Sequence, residues 1–155
     1  MQITDYLKKE CVYLKVPGRD KSRVIRELAE LLLTHHPEID AQEAIKGLYE
    51  REEVLSTGIG NRVAIPHTRI DSCRDVCIAL GVLQEEANFD SLDKCPVRLV
   101  FLVLFPKKEV GLQLRTLAKL SRILLKGGLV EKLLQAQTPE DVIGEFESYE
   151  KKYRF

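Results

Sequence analysis

The chain has no excess charge of either sign: 24 lysines and arginines stand against 24 aspartates and glutamates in 155 residues. Nucleic acid and anionic membrane both demand a basic face. The cations here are spread along the chain, with only small clusters such as Lys107-Lys108 and Lys151-Lys152. No nucleic-acid partner and no membrane insertion are expected. Cysteine is scarce, and Cys11, Cys73, Cys77 and Cys95 form no Cys-x-x-Cys pair. Cys73-x-x-x-Cys77 has no second pair downstream and the chain holds only 3 histidines, so the spacing argues against zinc and for plain thiols. No metal and no cofactor are expected. Long apolar runs are missing as well. The longest, Leu99–Phe105, falls far short of the about 20 residues that a membrane-spanning helix needs. Residues 1–10 contain no apolar segment of the kind a secretory signal requires, which points to a cytoplasmic protein.

The length suits one domain spanning residues 1–155, and a chain of this size buries roughly 70% of its unfolded surface without help from disulfides or metals. Internal repeats, low-complexity stretches and linkers are absent. Cys11–Val16 reads as a strand closed by Pro17-Gly18. Asp20 is a plausible N-cap for a helix whose apolar face is Val24, Ile25, Leu28, Ala29 and Leu31-Leu32. His35 and His36 fall in its last turn, where the partial negative charge of a helix end favours them. Asp40 starts a second helix, with Glu43 completing a capping-box pattern, and this helix fades near Arg51–Glu53. Ser56–Asn61 is a loop of small residues. Val63–Ile65, Val76–Leu83 and Val97–Phe105 read as strands, the last apolar throughout from Leu99 on, as in a central strand covered on both faces. A long helix follows from Val110 to Lys126, with Leu114, Leu117, Leu120 and Leu124 on one side and Gly127-Gly128 at its end. A short helix over 129–135 and a last one opened by Thr138-Pro139-Glu140-Asp141 complete the chain. The pattern predicts an α/β domain: a small mixed β-sheet flanked by helices on both faces.

Residues 51–68 break this pattern by setting glycines, hydroxyls, an arginine and a histidine between stretches that otherwise look like core. Pro66 fixes its own φ and restricts the residue before it, so the chain enters His67 along a nearly fixed direction. A histidine on a loop at the end of a buried strand is a rigidly mounted polar group, and neutral imidazole has one nitrogen free to act as nucleophile or base. Gly58 and Gly60 let backbone amides face an anion, Ser56 and Thr57 offer hydroxyls, and Arg51 and Arg62 offer cationic forks. The segment lacks the third glycine of a dinucleotide fingerprint, and the chain has neither a Gly-Lys-Ser/Thr phosphate loop nor a Gly-x-Ser-x-Gly elbow.

Arg51-Glu52, Ser56-Thr57-Gly58-Ile59-Gly60-Asn61 and Ala64-Ile65-Pro66-His67, in this order and spacing, resemble the signature of the enzyme IIA domains of the phosphoenolpyruvate:sugar phosphotransferase system. The likeness is to the fructose/mannitol class and its nitrogen-regulatory branch. It covers nearly the whole chain, including the apolar strand ending at Pro106 and the stretch Leu114–Ser121. The resemblance implies a phosphotransferase working from protein to protein through a phosphohistidine. His67 would accept the group on Nε2 from the histidine phosphocarrier protein HPr or its nitrogen-branch relative, with Nδ1 donating a hydrogen bond that fixes the tautomer. Arg51 matches the family arginine that stabilises phosphoryl charge, and Ser56, Thr57, Gly58 and Gly60 fall where phosphate contacts are expected. A IIB domain, or a regulated transporter or kinase, would stand downstream. One departure is visible: where the family usually carries a second histidine at the start of the third long helix, this chain has Gln113. Glutamine keeps a donor but cannot carry a titrating proton or a phosphoryl group.

The standalone form and Gln113 favour a regulatory IIA over sugar uptake. The alternative is a IIA-like binding module that has lost phosphotransfer and regulates a transporter or kinase. A third reading, a hydrolase with His67 as base and Asp71 or Glu53 nearby, requires a nucleophile or metal that the sequence does not supply.

Overall fold

The computed structural model describes residues 1–126 and 128–153. After a single 3-10 turn at Ile3–Asp5, the elements run β1 (Leu7–Val16), α1 (Lys21–Leu33), α2 (Ala41–Val54), β2 (Gly58–Gly60), β3 (Val63–Ala64), β4 (His67–Ile70), β5 (Cys77–Ala87), β6 (Val97–Pro106), α3 (Val110–Leu125), α4 (Leu129–Gln135) and α5 (Pro139–Lys152). The six-stranded sheet has the order β1-β5-β6-β3-β2, and β4 pairs with β6 beyond the end of β3. β5 and β6 are antiparallel, as are β2 and β3, whereas β1 runs parallel to β5, and β3 and β4 run parallel to β6.

The sheet separates two apolar cores. In β6, Leu99, Phe101, Val103 and Phe105 face a layer made by Leu120, Ile123 and Leu124 of α3, Leu129, Val130 and Leu133 of α4, and Val142 and Phe146 of α5. Val100, Leu102 and Leu104 face the other way, onto Val24, Ile25, Leu28, Ala29 and Leu32 of α1 and Ala44 and Leu48 of α2. This double burial is why β6 is apolar at every position from Leu99 to Phe105 and not merely at alternate ones. The Phe101 ring meets Phe146 edge-on at 5.8 Å. Each large side chain so buried contributes about 1.5–3 kcal/mol.

The helix starts follow their caps. Asp20 accepts the Ser22 N–H, and Thr138 and Asp141 form a reciprocal capping box around Pro139. Asp40 accepts the N–H groups of Gln42 and Glu43. The expected capping box at Asp40 is not made, because the Glu43 carboxylate turns instead to the amides of Asp71 and Ser72 at 3.1 and 3.2 Å. The Asp40 N–H goes to Ser72 Oγ at 3.0 Å. Helix and strand are thereby tied across the sequence.

Several elements differ from the sequence expectation. β1 begins at Leu7, four residues early; Lys8, Lys9 and Glu10 are exposed, so their polarity hid the strand. β5 likewise continues through exposed Gln84-Glu85-Glu86 to buried Ala87. The stretch expected as a loop contains β2, joined to β3 by a tight turn in which Asn61 and Arg62 both take positive φ, of 53° and 67°. His35 and His36 lie beyond the end of α1, not in its last turn. Leu114 is largely exposed, and Thr116 takes the inward position. Gly128 adopts φ +80° at the start of α4, whereas Gly127 lies outside the described residues.

Candidate functional site

Pro66 divides β3 from β4, and its carbonyl accepts the Val103 N–H at 2.9 Å. His67 is therefore the first residue of β4, opposite Val103, and not a loop residue as expected. Residues paired across parallel strands share a face, so the imidazole points to the layer of α3–α5. There it meets Phe105 edge-on, with ring centroids 6.5 Å apart. His67 is 7% exposed.

Its Nδ1 lies 2.8 Å from the carbonyl oxygen of Ile65. A carbonyl only accepts, so Nδ1 carries the hydrogen and Nε2 holds the lone pair. Burial pushes the imidazole below its usual range. The Ile65 carbonyl works in the opposite direction, and the positive charge of Arg51 adds to the depression, with Glu52 opposing it. The ring is thus neutral near pH 7, with one tautomer and one free nitrogen.

Arg51 reaches this site from the other helical layer. Gly47 lets α2 lie directly on β4, since a Cβ there would come within 2.6 Å of Thr68 Oγ1. Arg51 then falls beside the start of β4, and its Nη1 donates to the Leu55 carbonyl at 2.7 Å, which steadies the guanidinium at the helix end.

The hydroxyls and glycines of the motif turn inward. Glu52, buried on α2, accepts from the Thr57 N–H at 2.8 Å and from Thr57 Oγ1 at 2.5 Å, and pairs with Lys21 Nζ at 3.4 Å. Ser56 Oγ accepts the Gly58 N–H at 3.0 Å and donates to the Phe89 carbonyl. A Cβ on Gly58 would stand 2.1 Å from Ser91 Oγ. Gly60 has φ +99° where β2 turns toward β3. These four residues brace the strand that leads to His67, and the Ser56 and Thr57 hydroxyls and the Gly58 amide already have partners within the protein. Arg62 pairs with Glu131 of α4 at 3.0 Å, away from Arg51.

Gln113 occupies the start of α3, the helix that follows β6 on the face His67 points to. Among the described residues its Oε1 is buried without a hydrogen-bond partner. Buried polar atoms are nearly always satisfied, so a free amide end here is a feature to explain. Exposed apolar side chains lie on the same two helix ends: Val54 and Leu55 after Arg51, Val110 and Leu114 around Gln113. A groove of about 490 Å³ runs along α2 and β4 past Arg51, Thr68, Arg69 and Lys107. Asp71 is drawn to Lys107 at 3.6 Å, and Glu53 is exposed. Among the described residues no group of three or more His, Cys, Asp or Glu side chains could hold a metal ion.

Residues 5–149 match the family model for the phosphoenolpyruvate-dependent sugar phosphotransferase system, EIIA 2. The chain belongs to this family. It is a IIA-type phosphocarrier of the type-2 class, with nitrogen regulatory and fructose-specific proteins among its relatives. A nitrogen regulatory protein of Pseudomonas aeruginosa is 36% identical over 127 residues, covering 82% of each chain. A fructose-specific EIIA component of Haloferax volcanii is 33% identical over 139 residues, covering 88% of this chain and 90% of the other. Among solved structures, the nitrogen regulatory protein IIA-Ntr of Neisseria meningitidis superposes with a TM-score of 0.86 at 28% identity, over 93% of this chain and 98% of that one. The family fold is thus present with its mixed sheet and two helical layers, and no helix among the described residues is long and apolar enough to cross a membrane.

Sequence reading did not find Glu52 as the buried tie of the motif, nor the Ile65 carbonyl as the partner of the histidine. Glu52 stands next to Arg51 in the signature, but a carboxylate in a charged run carries no mark of burial. The Ile65 carbonyl is backbone and has no side-chain signal at all.

Proposed function

We propose that His67 Nε2 attacks the phosphorus of a phosphohistidine on HPr or a nitrogen-branch relative. A nitrogen–phosphorus bond forms here as the donor's breaks. The observation that carries this reading is the Nδ1–H bond to the Ile65 carbonyl: it leaves Nε2 as the one nucleophilic nitrogen and fixes its direction. Phosphoryl transfer depends on in-line positioning and on neutralising the charge spread over three oxygens. Arg51 supplies positive charge, and the half-buried Gln113 supplies a donor through its NH2 once the amide is turned toward the arriving oxygens. Ser56, Thr57, Gly58 and Gly60 act from behind, by holding the strand in place.

Val54, Leu55, Val110 and Leu114 form the apolar surface on which the carrier docks. The onward partner is a IIB domain or a regulated transporter or kinase in the cytoplasm. Regulation by phosphorylation state is favoured over sugar uptake, since several relatives carry the name nitrogen regulatory protein and Gln113 replaces a titratable group. The whole of residues 1–155 works as one such domain.

The test is incubation with phosphoenolpyruvate, enzyme I and HPr, or the nitrogen-branch counterparts, followed by intact-mass and peptide mapping. An acid-labile phosphoryl group on His67, absent from a folded His67→Ala chain, is the expected result. A folded His67→Ala chain that still accepts the group refutes the assignment. No transfer from any carrier favours the binding-module reading, in which Gln113 marks the loss.

A further inference from the structure

Away from His67, two thiols converge on one carbonyl. Cys73 and Cys77 flank the turn from β4 to β5, and each keeps only a sliver of surface, 4% and 6%. Cys73 Sγ lies 2.8 Å and Cys77 Sγ 3.5 Å from the carbonyl oxygen of Asp75. His36 Nδ1 stands 3.7 Å from Cys77 Sγ, and Glu38 Oε1 lies 3.4 Å from the same nitrogen. The turn itself is held firmly. The Glu43 carboxylate takes the amides of Asp71 and Ser72 and the Ser72 hydroxyl at 2.7 Å, and Ser72 in turn takes the Asp40 amide. The sulfurs are kept together by backbone on both sides of them.

We propose that Cys73 and Cys77 form a dithiol–disulfide site oxidised by hydroperoxides, with Cys73 as the attacking sulfur and Cys77 as the resolving one. The Cys73 thiolate attacks one oxygen of the peroxide, the O–O bond breaks, and a sulfenic acid forms as hydroxide leaves. The Cys77 thiol gives its proton to His36 Nδ1, with Glu38 beside the resulting imidazolium, and its sulfur attacks the Cys73 sulfur. The S–S bond forms, hydroxide leaves and takes up a proton. In sum two thiols are oxidised to a disulfide and one hydrogen peroxide is reduced to two waters.

The ionisation of the pair runs in the same direction. The neighbouring Cys77 holds Cys73 below the ordinary thiol range against its burial, while the neighbouring Cys73 and burial push the Cys77 thiol well up. Thiolate character decides which sulfur reacts first. Hydrogen peroxide is close to water in size, so it needs only narrow access to residues with this little surface. Cys95 is exposed but sits on a separate segment before β6, and Cys11 is buried in β1. Nothing in this site touches the phosphoryl chemistry proposed for His67, and it stands whether or not that reading does.

Trypsin reports the result directly, because cleavage after Arg69, Arg74 and Lys94 puts Cys73 and Cys77 in different peptides, as it does Cys11 and Cys95. The reduced full chain is treated with hydrogen peroxide, alkylated with iodoacetamide in denaturant and digested without reductant. The expected product is the linked pair 70–74 with 75–94, in about tenfold or greater excess over any pair containing Cys11 or Cys95, since the two sulfurs react within one turn. It disappears on treatment with dithiothreitol. In a Cys77→Ser chain, dimedone is expected to trap a sulfenic acid on Cys73. Alkylated Cys73 and Cys77 in a sample whose Cys95 is already oxidised would overturn the proposal, as would a Cys77→Ser chain with no dimedone adduct at Cys73.

Discussion

Removing the Glu52 carboxylate is expected to cost about 4 kcal/mol of stability, most of it local to the segment before His67. In the native chain this carboxylate is 7% exposed, accepts both the Thr57 amide and hydroxyl, and faces Lys21. Hydrogen bonds to a charged group contribute about 1.5–3 kcal/mol each, so the two from Thr57 account for about 4 kcal/mol. Glu52→Ala leaves two buried donors on Thr57 unsatisfied, while Lys21 keeps Asp90 at 3.6 Å. For a chain of this length about 4 kcal/mol lowers Tm by about 8–16 °C. Urea titration followed by circular dichroism gives the free energy. Hydrogen exchange at the amides of Thr57 and Gly58 locates the loss. Glu52→Gln, which keeps the shape and one acceptor, is expected to lose less than Glu52→Ala. A loss below about 1 kcal/mol in Glu52→Ala, with Thr57 still protected, would refute the view that this carboxylate holds the motif together.

Arg51→Ala is expected to slow phosphoryl acceptance by HPr about 10²–10³-fold, as for other lost charge-stabilising donors, with the fold unchanged; an unchanged rate in a transfer assay removes Arg51 from the site. His67 is depressed below its usual range mainly by burial, so the folded state binds fewer protons there than the unfolded state does. Its contribution to stability is complete above about pH 6.5 and is lost as pH falls from there through the folded value; NMR titration of the ring should therefore find its midpoint below about 6.5. Gly58→Ala places a methyl 2.1 Å from Ser91 Oγ and 3.2 Å from the Ser91 backbone, and is expected to cost about 1–3 kcal/mol in urea titration.

Much of the architecture was legible because it rests on periodicity and capping. β6 reads as doubly covered from its unbroken apolar run, and α5 is announced by Thr138, Pro139 and Asp141. What was not legible depends on long-range pairing. Lys8-Lys9-Glu10 form a strand only because β1 lies parallel to β5, and nothing local marks them. Leu114 fits a helical apolar stripe in sequence, yet α3 rolls so that Thr116 and Leu120 face the sheet. In the candidate site, Pro66 and the signature around it point to His67. The readings of Ser56 and Thr57 as phosphate contacts followed from their chemistry and their place in the signature, while the structure gives those hydroxyls partners in Phe89 and Glu52.

β3 and β4 lie end to end along the same side of β6, with Ile65-Pro66 between them, and among the described residues β4 pairs on one side only. An open strand edge invites another chain to add itself to the sheet, and such unions are slow to part. Here the open edge is four residues long, interrupted by a proline at its start and overlain by α2. A visiting protein can reach the histidine through side chains but finds little backbone to zip against. Under the transfer proposed for His67, encounters at this edge are expected to be brief and reversible, as receiving a group from one partner and passing it to the next requires.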